Sequence, residues 1–594
     1  MRKRRWGETG LCFLVALAIL AFFSPIAVAQ VTSSFHGYLE SNFVVRDVNG
    51  MQYGFFDEAY GVQQRNTLKF DVDVDPDMDL GPFRVEKVHL TFRGAYDSIF
   101  DLAAHRYNIT EDLGASRFDY GEEDIRFESD LREAFIDVAY KGGMGNRAFI
   151  RAGRQIVSWG EGQLETLNDV INPPDQSYQM FFQNPDDVKT PLWMGRLNFD
   201  LPRFARTSIN FDLLWVPDIR PTQLAPMDSV TGEPGGMESP YMSPLPYAFL
   251  GQKVQQAGTY FYSDTSTPFY TGGSPDAYLN FLDSMVPGTK AALLAPTTIL
   301  NGATMRQDVP TNNNEYGGKV SAQIGDRFSL SLLYFRDVVN EGGMDIKWNE
   351  AILPGGAMPA SIDSVTITHN KQHVYGGYFS YQMLLGRFEA VIRGEVSHYT
   401  KYPIASFNKA FTVNGVELST MSPVWNGNEY QSNGDGTGIS HAYVYKPVTK
   451  TMLAIDKDLR LKWISPHDLT RVTFEWLHTT INEWHGSDGL DQAQIGVLNA
   501  DRENIREQDS FYLQVMTNWW ASKLAPMVVV ACTPGKHGEG TTWMLRPSIK
   551  WTITPNFYTE AVLQAFMGDD WASYGFGRFV KKASEASIKV GYEW

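Results

Sequence analysis

Between residues 35 and 46 the chain changes character at every step. Phe35, Gly37, Leu39, Ser41, Phe43 and Val45 alternate with His36, Tyr38, Glu40, Asn42, Val44 and Arg46, which puts the charges on one face and most of the apolar surface on the other. Leu68, Phe70, Val72 and Val74 repeat the pattern against Thr67, Lys69, Asp71 and Asp73. Val472, Phe474 and Trp476 oppose Arg471, Thr473 and Glu475, and Trp543, Leu545, Ile549 and Trp551 oppose Arg546, Ser548 and Lys550. The same period closes the chain, where Ala586, Ile588, Val590, Tyr592 and Trp594 face away from Ser587, Lys589, Gly591 and Glu593. A period of two is a strand signal.

Applied along the sequence, this period predicts strands over 35-46, 63-75, 84-97, 131-140, 147-158, 192-200, 206-216, 315-324, 327-337, 371-384, 387-400, 449-463, 469-480, 509-520, 525-533, 541-553, 557-567 and 584-594. That is 18 segments; 16 is the nearest competitor, because 525-533 and its partner are the weakest. Their connections alternate short and long. Gly325-Asp326, Gly386-Arg387, Ser465-Pro466-His467-Asp468 and Pro555-Asn556 carry residues suited to tight turns. The long connections are about 47-62, 98-130, 159-191, 217-314, 338-370, 401-448, 481-508, 534-540 and 568-583. Amphipathic strands of roughly ten residues joined by alternating short and long loops predict an all-β, transmembrane antiparallel β-barrel of the bacterial outer membrane. An even strand number with a long last connection places both termini in the periplasm.

The N-terminus agrees. Arg2, Lys3, Arg4 and Arg5 precede a 13-residue apolar run, Leu11 to Phe23, and Ala27-Val28-Ala29 offers a peptidase site, so residues 1-29 read as a signal peptide and 30-594 as the barrel. The rival reading, a membrane anchor, needs about 20 apolar residues, and Ser24-Pro25 stops this run. Loss of a segment carrying net +3 changes the formal charge from −17 to −20, which excludes a nucleic-acid surface built on summed positive charge. Cys532 is then the sole cysteine, so no intrachain disulfide or cysteine-based metal cluster is expected.

From Arg132 to Pro191 the chain carries Arg132-Glu133-Ala134, Gly153-Arg154-Gln155, Trp159-Gly160-Glu161 and Asn172-Pro173-Pro174-Asp175. This set resembles the proteobacterial outer-membrane family of unknown function DUF1302. The resemblance implies a porin-like barrel in the outer membrane. It supplies no solute, and segment 217-314 has no counterpart in it. The terminal strand, with Tyr592 and Trp594, likewise resembles the signal that the barrel-assembly machinery reads in its clients.

Alternation nominates the residues that face the lumen or form a constriction. They are Glu40 and Arg46; Lys69, Asp71 and Asp73; Arg132 and Glu133; Arg151 and Arg154; Arg393 and Glu395; Arg471 and Glu475; and Arg546 and Lys550, with Trp159 and Glu161 at the start of a long loop. The charges between Arg132 and Glu161 have two readings, a salt-bridge network that stiffens the wall or a set of contacts to the solute. Arg151 and Arg154, three residues apart, cannot share a face without a bulge. Asp71 through Asp79 mimic the start of a calcium loop, but Pro76 and Pro82 occupy positions where that loop needs Gly and Glu, so no metal site is expected. Nor does any cofactor follow. His36, His89, His398 and His478 lie on strands without a nucleophile motif, which leaves an embedded hydrolase unsupported.

Segment 217-314 holds 12 of the 30 prolines but only 12 charged residues. Its aromatic residues require a surface to bury against. Ser274-Pro275 followed by Tyr278, Phe281, Leu282 and Met285 predicts a short amphipathic helix, acting as a plug inside the barrel or as a cap on the outer loops. The function expected is a channel for small amphipathic or hydrophobic organic solutes, with outer-membrane lipid, the assembly machinery and the solute as partners. The alternative is a closed barrel serving as the outer-membrane partner of a lipid or hydrophobic-compound export system. The sequence leaves the oligomeric state open.

Overall fold

The apolar rows of these strands stay uncovered. Phe35, Leu39, Leu332, Val396, Leu453 and Ile588 are exposed, whereas Arg46, Arg93, Asp137, Asp212 and Glu475 are buried. This inverts the arrangement of a water-soluble domain, and a sheet closed on itself in hydrocarbon accounts for it: closure leaves no unpaired edge, and the greasy face meets lipid. In this computed structural model the described residues are 32-47, 59-102, 126-141, 147-163, 166-176, 188-204, 206-224, 304-308, 314-339, 343-353, 356-385, 388-405, 411-413, 416-418, 431-432, 437-441, 443-465, 467-483, 506-534, 541-568 and 584-594. The segment read as a signal peptide, most of the 217-314 insert and the four residues expected in its helix, Tyr278, Phe281, Leu282 and Met285, lie outside them.

The barrel strands are β1 Thr32–Asp47, β2 Ala59–Asp75, β3 Phe83–Asp97, β4 Phe127–Lys141, β5 Arg147–Gln155, β6 Leu192–Asp200, β7 Thr207–Val216, β8 Glu315–Ile324 and β9 Phe328–Val338. There follow β10 Lys371–Leu385, β11 Phe388–Ala405, β12 Tyr443–Leu459, β13 Thr470–Ile481, β14 Glu507–Met516, β15 Leu524–Thr533, β16 Thr542–Thr552, β17 Phe557–Gly568 and β18 Ser584–Glu593. Each pairs antiparallel with the next, and β18 pairs with β1 from Tyr38↔Glu593 to Asp47↔Ser584, closing 18 strands; a 3-residue strand, Met78–Leu80, only extends the β2 to β3 turn. The count of 18 holds because β15 and β16 pair along their whole length, from Leu524↔Trp551 to Thr533↔Thr542.

Closure brings the chain's last aromatic residue onto its first strand. Gly37 and Trp594 exchange two backbone hydrogen bonds (3.2 and 3.0 Å), and the indole stacks near Phe35 at 6.3 Å. A Cβ on Gly37 would lie 2.5 Å from the Trp594 ring, so only glycine admits this contact.

The structure departs from the sequence reading at several strand ends and in one connection, and β12 begins six residues earlier than expected, at Tyr443. β5 ends at Gln155 rather than 158; β11 continues to Ala405; and the connection expected over 338-370 contains a hairpin, Gly343–Leu353 with Gly356–Thr368, in a small separate sheet. Register shifts after Lys347 and Asn349 break the two-residue period there, which conceals the hairpin from a search for strict alternation.

Two bands of exposed aromatic residues bound the apolar wall. At the end with short turns stand Phe35, Tyr140, Trp551, Tyr592 and Trp594, and toward the end with long connections stand Trp193, Trp215, Tyr316, Tyr375 and Trp543. Trp543 and Trp551 are eight residues apart on β16, about 27 Å along a strand and roughly 20 Å across the membrane at the usual tilt.

Candidate functional site: a connection folded into the barrel

Past Gln155 the chain turns into the barrel. Just before that, within β5, Gly153 has φ +140°, and a Cβ there would lie 2.6 Å from Phe135 Cα, so this strand position requires glycine. Asn172 then clasps the base of the connection: its Oδ1 accepts from Val157 N–H (2.8 Å), and its Nδ2 donates to the carbonyls of Gln155 (3.2 Å) and Thr190 (2.9 Å). Val157, Trp159 and Ile171 of the connection pack with Leu192, Met194, Leu214, Val216, Leu333, Phe335, Val374 and Tyr399. This is a hydrophobic core inside the barrel, along the wall from β6 to β11. Trp159 meets Phe335 edge-on (5.9 Å, 85°) and donates its indole N–H to Asp212 (3.2 Å). Asp212 is itself held by Arg196 at 2.8 and 2.9 Å.

Beyond Trp159 the backbone is held by the far wall. Glu161 and Gly162 donate their N–H groups to Glu395 Oε2 (3.0 and 3.1 Å), and Asn168 donates to Oε1 (2.6 Å). Gln163 N–H reaches both oxygens of Glu475 (3.0 and 3.2 Å). Arg393 braces the pair of carboxylates. It donates to Asp456 (2.6 and 3.1 Å), to Glu475 (3.1 Å) and to the Glu161 carbonyl. Tyr399 donates its hydroxyl to the Leu167 carbonyl. Gly160, at φ +114°, has no room for a Cβ, which would lie 2.6 Å from Glu395 Oε1. β13 is eight strands from β5 in a ring of 18, so the connection reaches the wall nearly opposite the strand it leaves.

Each residue of the Trp159-Gly160-Glu161 run therefore contributes differently. The indole fills the interior core, glycine allows the bend, and Glu161 starts the row of N–H donors. The Glu161 carboxyl makes no ion pair among the described residues. Burial raises it above the usual carboxylate range, against the pull of Arg393 and with a further push from Asp456. Asp169 is raised by burial as well, although Lys189 contacts it.

The other sequence candidates distribute around the wall. Arg132 and Glu133, though adjacent, are both drawn to the base of the connection, because a bulge between Thr91 and Phe92 takes Arg132 out of the ladder register. Arg132 donates to the Lys189 carbonyl (2.5 Å), and Glu133 accepts from Ile156 N–H (2.9 Å). Arg151 pairs with Asp137 (2.7 and 2.9 Å) over the Phe135 ring. Arg154 does not join it. Strict alternation puts Arg154 in the outward register, opposite Ala134 and Trp193, with its guanidinium turned along the wall to Asp130 (2.7 Å).

Asp73, His89, Thr91 and Asp71 form one chain of contacts, with His89 bonded to Asp73 (2.5 Å) and to Thr91 (2.8 Å) and Thr91 donating to Asp71. Thr91 gives its proton to Asp71 and can only accept from the imidazole, so the trio has no activated nucleophile. Glu40 accepts from Tyr558 and lies 3.6 Å from Lys589, while Lys69 sits over the Tyr38 ring. Arg46 pairs with Glu585 at 2.8 Å, both buried. Lys550 lies 4.0 Å from the Tyr558 ring centre, and Arg546 is nearby on the same row of β16. Arg471 is elsewhere, in an exposed pair with Asp458 (2.9 Å).

Of the sequence candidates, Trp159, Glu161, Arg393, Glu395 and Glu475 thus converge on one assembly. Asp212, Asp456, Asn168 and Tyr399 complete it and were not singled out in the sequence. Alternation puts Asp212 and Asp456 on the interior rows, but no local signal pairs them with a loop from another part of the chain.

No curated protein matches the chain. Among solved structures, Acinetobacter baumannii OccAB3 aligns at 9% identity over 95% of this chain and 99% of its own, with a TM-score of 0.41. Pseudomonas aeruginosa OccK8 (OprE) aligns at 8% identity over 95% and 98%, with a TM-score of 0.39. A model described as a protein of unknown function, DUF1302, matches residues 56–594, and the chain belongs to that family.

Proposed function

We propose that the protein is a porin-like channel of the outer membrane, with both termini in the periplasm, whose aperture is set by the connection 156-191. The observation that carries this reading is the fastening of that connection to Glu395 and Glu475 on the far side of the barrel. A ring of 18 strands encloses more space than its own side chains fill, and a loop fixed across it narrows the space without closing the wall. The solutes we assign are small amphipathic or hydrophobic organic molecules. Aromatic rings with nearby ammonium groups support this class: Tyr558 under Lys550 and Tyr402 under Lys450 (5.0 Å). Planar-bilayer conductance of the purified protein tests the reading, with aromatic carboxylates and alcohols as blockers. A silent bilayer, both for the whole protein and after removal of 217-314, refutes it and favours the closed export partner.

A further inference from the structure

We propose that the outward face of β8, β9 and β10, at the rim with the long connections, binds the phosphorylated headgroup of an outer-leaflet glycolipid. The proposal rests on the reading that this rim faces the cell exterior. Register aligns Tyr316 with Arg336 and Arg336 with His373 across the three strands. The guanidinium lies 5.5 Å over the Tyr316 ring. Tyr334 bonds to His373 Nδ1 (2.9 Å) and stacks on its ring, and Tyr375 lies beside Tyr334 (5.3 Å). Lys371, exposed, occupies the next outward position of β10.

What distinguishes this sector is that two cations without carboxylate partners stand on adjacent strands beside a row of aromatic rings. Elsewhere on the same rim several outward or exposed basic groups are neutralised, Arg154 by Asp130 (2.7 Å), Arg126 by Asp101 and His478 by Asp509 (2.9 Å), while the exposed Lys401 and Arg506 stand apart without an ion pair among the described residues. Among the described residues neither Arg336 nor Lys371 makes an ion pair, and the outward rows of β8 to β10 from Tyr316 to Ile324, Leu330 to Arg336 and Lys371 to Met383 hold no Asp or Glu.

An arginine on the lipid side of a barrel is tolerable at headgroup level and costly further in. The aromatic row around it fixes that level. In a chain of net charge −17, a local surplus of two fixed cations selects an anionic ligand, and a guanidinium is suited to phosphate oxygens. Arg336 and Lys371 stand on neighbouring strands, about 5 Å apart in the pairing direction and offset by two residues, about 7 Å, along it, so they can engage two phosphates on one sugar headgroup. Beneath them Leu332 and Val320, 60% and 40% exposed, offer a path for acyl chains.

The test uses the full, detergent-purified protein and native mass spectrometry. Diphosphoryl lipid A, its enzymatically dephosphorylated form and phosphatidylglycerol are titrated against wild type, R336Q/K371Q and R336K/K371R. The proposal expects diphosphoryl lipid A to bind at least about tenfold better than either other lipid, with that advantage lost in R336Q/K371Q and kept in R336K/K371R. Heat-modifiable gel mobility, unchanged in all three proteins, confirms closed barrels. Equal binding by wild type and R336Q/K371Q overturns the site, and equal binding of phosphatidylglycerol overturns the choice of a glycolipid. Orientation is read separately from a tag inserted at the Gly325-Asp326 turn. Its labelling on intact cells would refute the periplasmic assignment of that turn, whatever the lipid titration gives.

Discussion

Replacing Glu395 by Gln probes the fastening of the inward connection with little change in side-chain volume. The carboxylate accepts three peptide N–H groups, from Glu161, Gly162 and Asn168. A glutamine keeps one acceptor oxygen and turns an NH₂ group toward donors that it cannot satisfy. At about 1 kcal/mol for each net hydrogen bond weakened, and more for each donor left buried without an acceptor, the fastened state loses roughly 3 kcal/mol. With 1.4 kcal/mol per factor of ten, that is roughly a hundredfold rise in the released population. The barrel ladder is untouched, so the loss is local. Single-channel recording should show a larger, flickering conductance in E395Q, and hydrogen exchange at residues 161, 162 and 168 should accelerate by about two orders of magnitude. Glu475→Gln, which weakens a single fastened peptide donor, Gln163, along with the Arg393 contact, should have a smaller effect on exchange. Steady wild-type current together with unchanged exchange in E395Q would refute the argument that these bonds hold the aperture.

Further outcomes follow from the same geometry. Gly160→Ala forces a Cβ against Glu395 at a positive φ and should release the connection at a local cost of about 1–3 kcal/mol, read by the same exchange experiment. Trp159→Phe keeps the packing but gives up the bond to Asp212, a loss of about 1 kcal/mol, whereas Trp159→Ala opens a cavity worth about 3–5 kcal/mol; the temperature at which the heat-modifiable band is lost should fall in that order. Glu161 has a raised folded-state value, so it binds more protons than in the unfolded chain just above the ordinary carboxylate range. Its contribution to stability is therefore full below that range and is lost as pH rises through the shifted value. Across that window wild-type cation selectivity should fall on acidification, and Glu161→Gln should be less selective and flat with pH; equal slopes would exclude Glu161 from the passage. Trp594→Ala removes the ring seated over Gly37 and should slow barrel closure in vesicles, followed as gel mobility.

The strand ladder was legible in the sequence because a lipid-facing row and an interior row impose opposite chemistries on neighbouring residues over a whole strand. Pairs such as Leu39 and Glu40, or Phe474 and Glu475, state the face of every residue between them. The inward connection was only half legible. Trp159, Glu161, Glu395 and Glu475 stood out as candidates, but their meeting depends on contacts 234 and 312 residues apart in the chain, and the groups fastened are peptide N–H donors, which every non-proline residue possesses. Arg154 misled for the opposite reason. Its charge suggests the interior, while alternation from Arg151 sends it outward, and a long side chain reconciles the two by running along the wall. The Gly343–Leu353 hairpin escaped because its bulges shift the period.

Glu395 and Glu475 hold the connection mainly through its main-chain amides, so the hold is indifferent to most of the residues it presents. Glu161 and Gln163 could be exchanged for other residues, proline apart, with the clamp intact, while Gly160, trapped by its own geometry, could not. Under the proposed reading, an aperture fastened this way leaves most side chains of the connection free to change without redesign of the barrel.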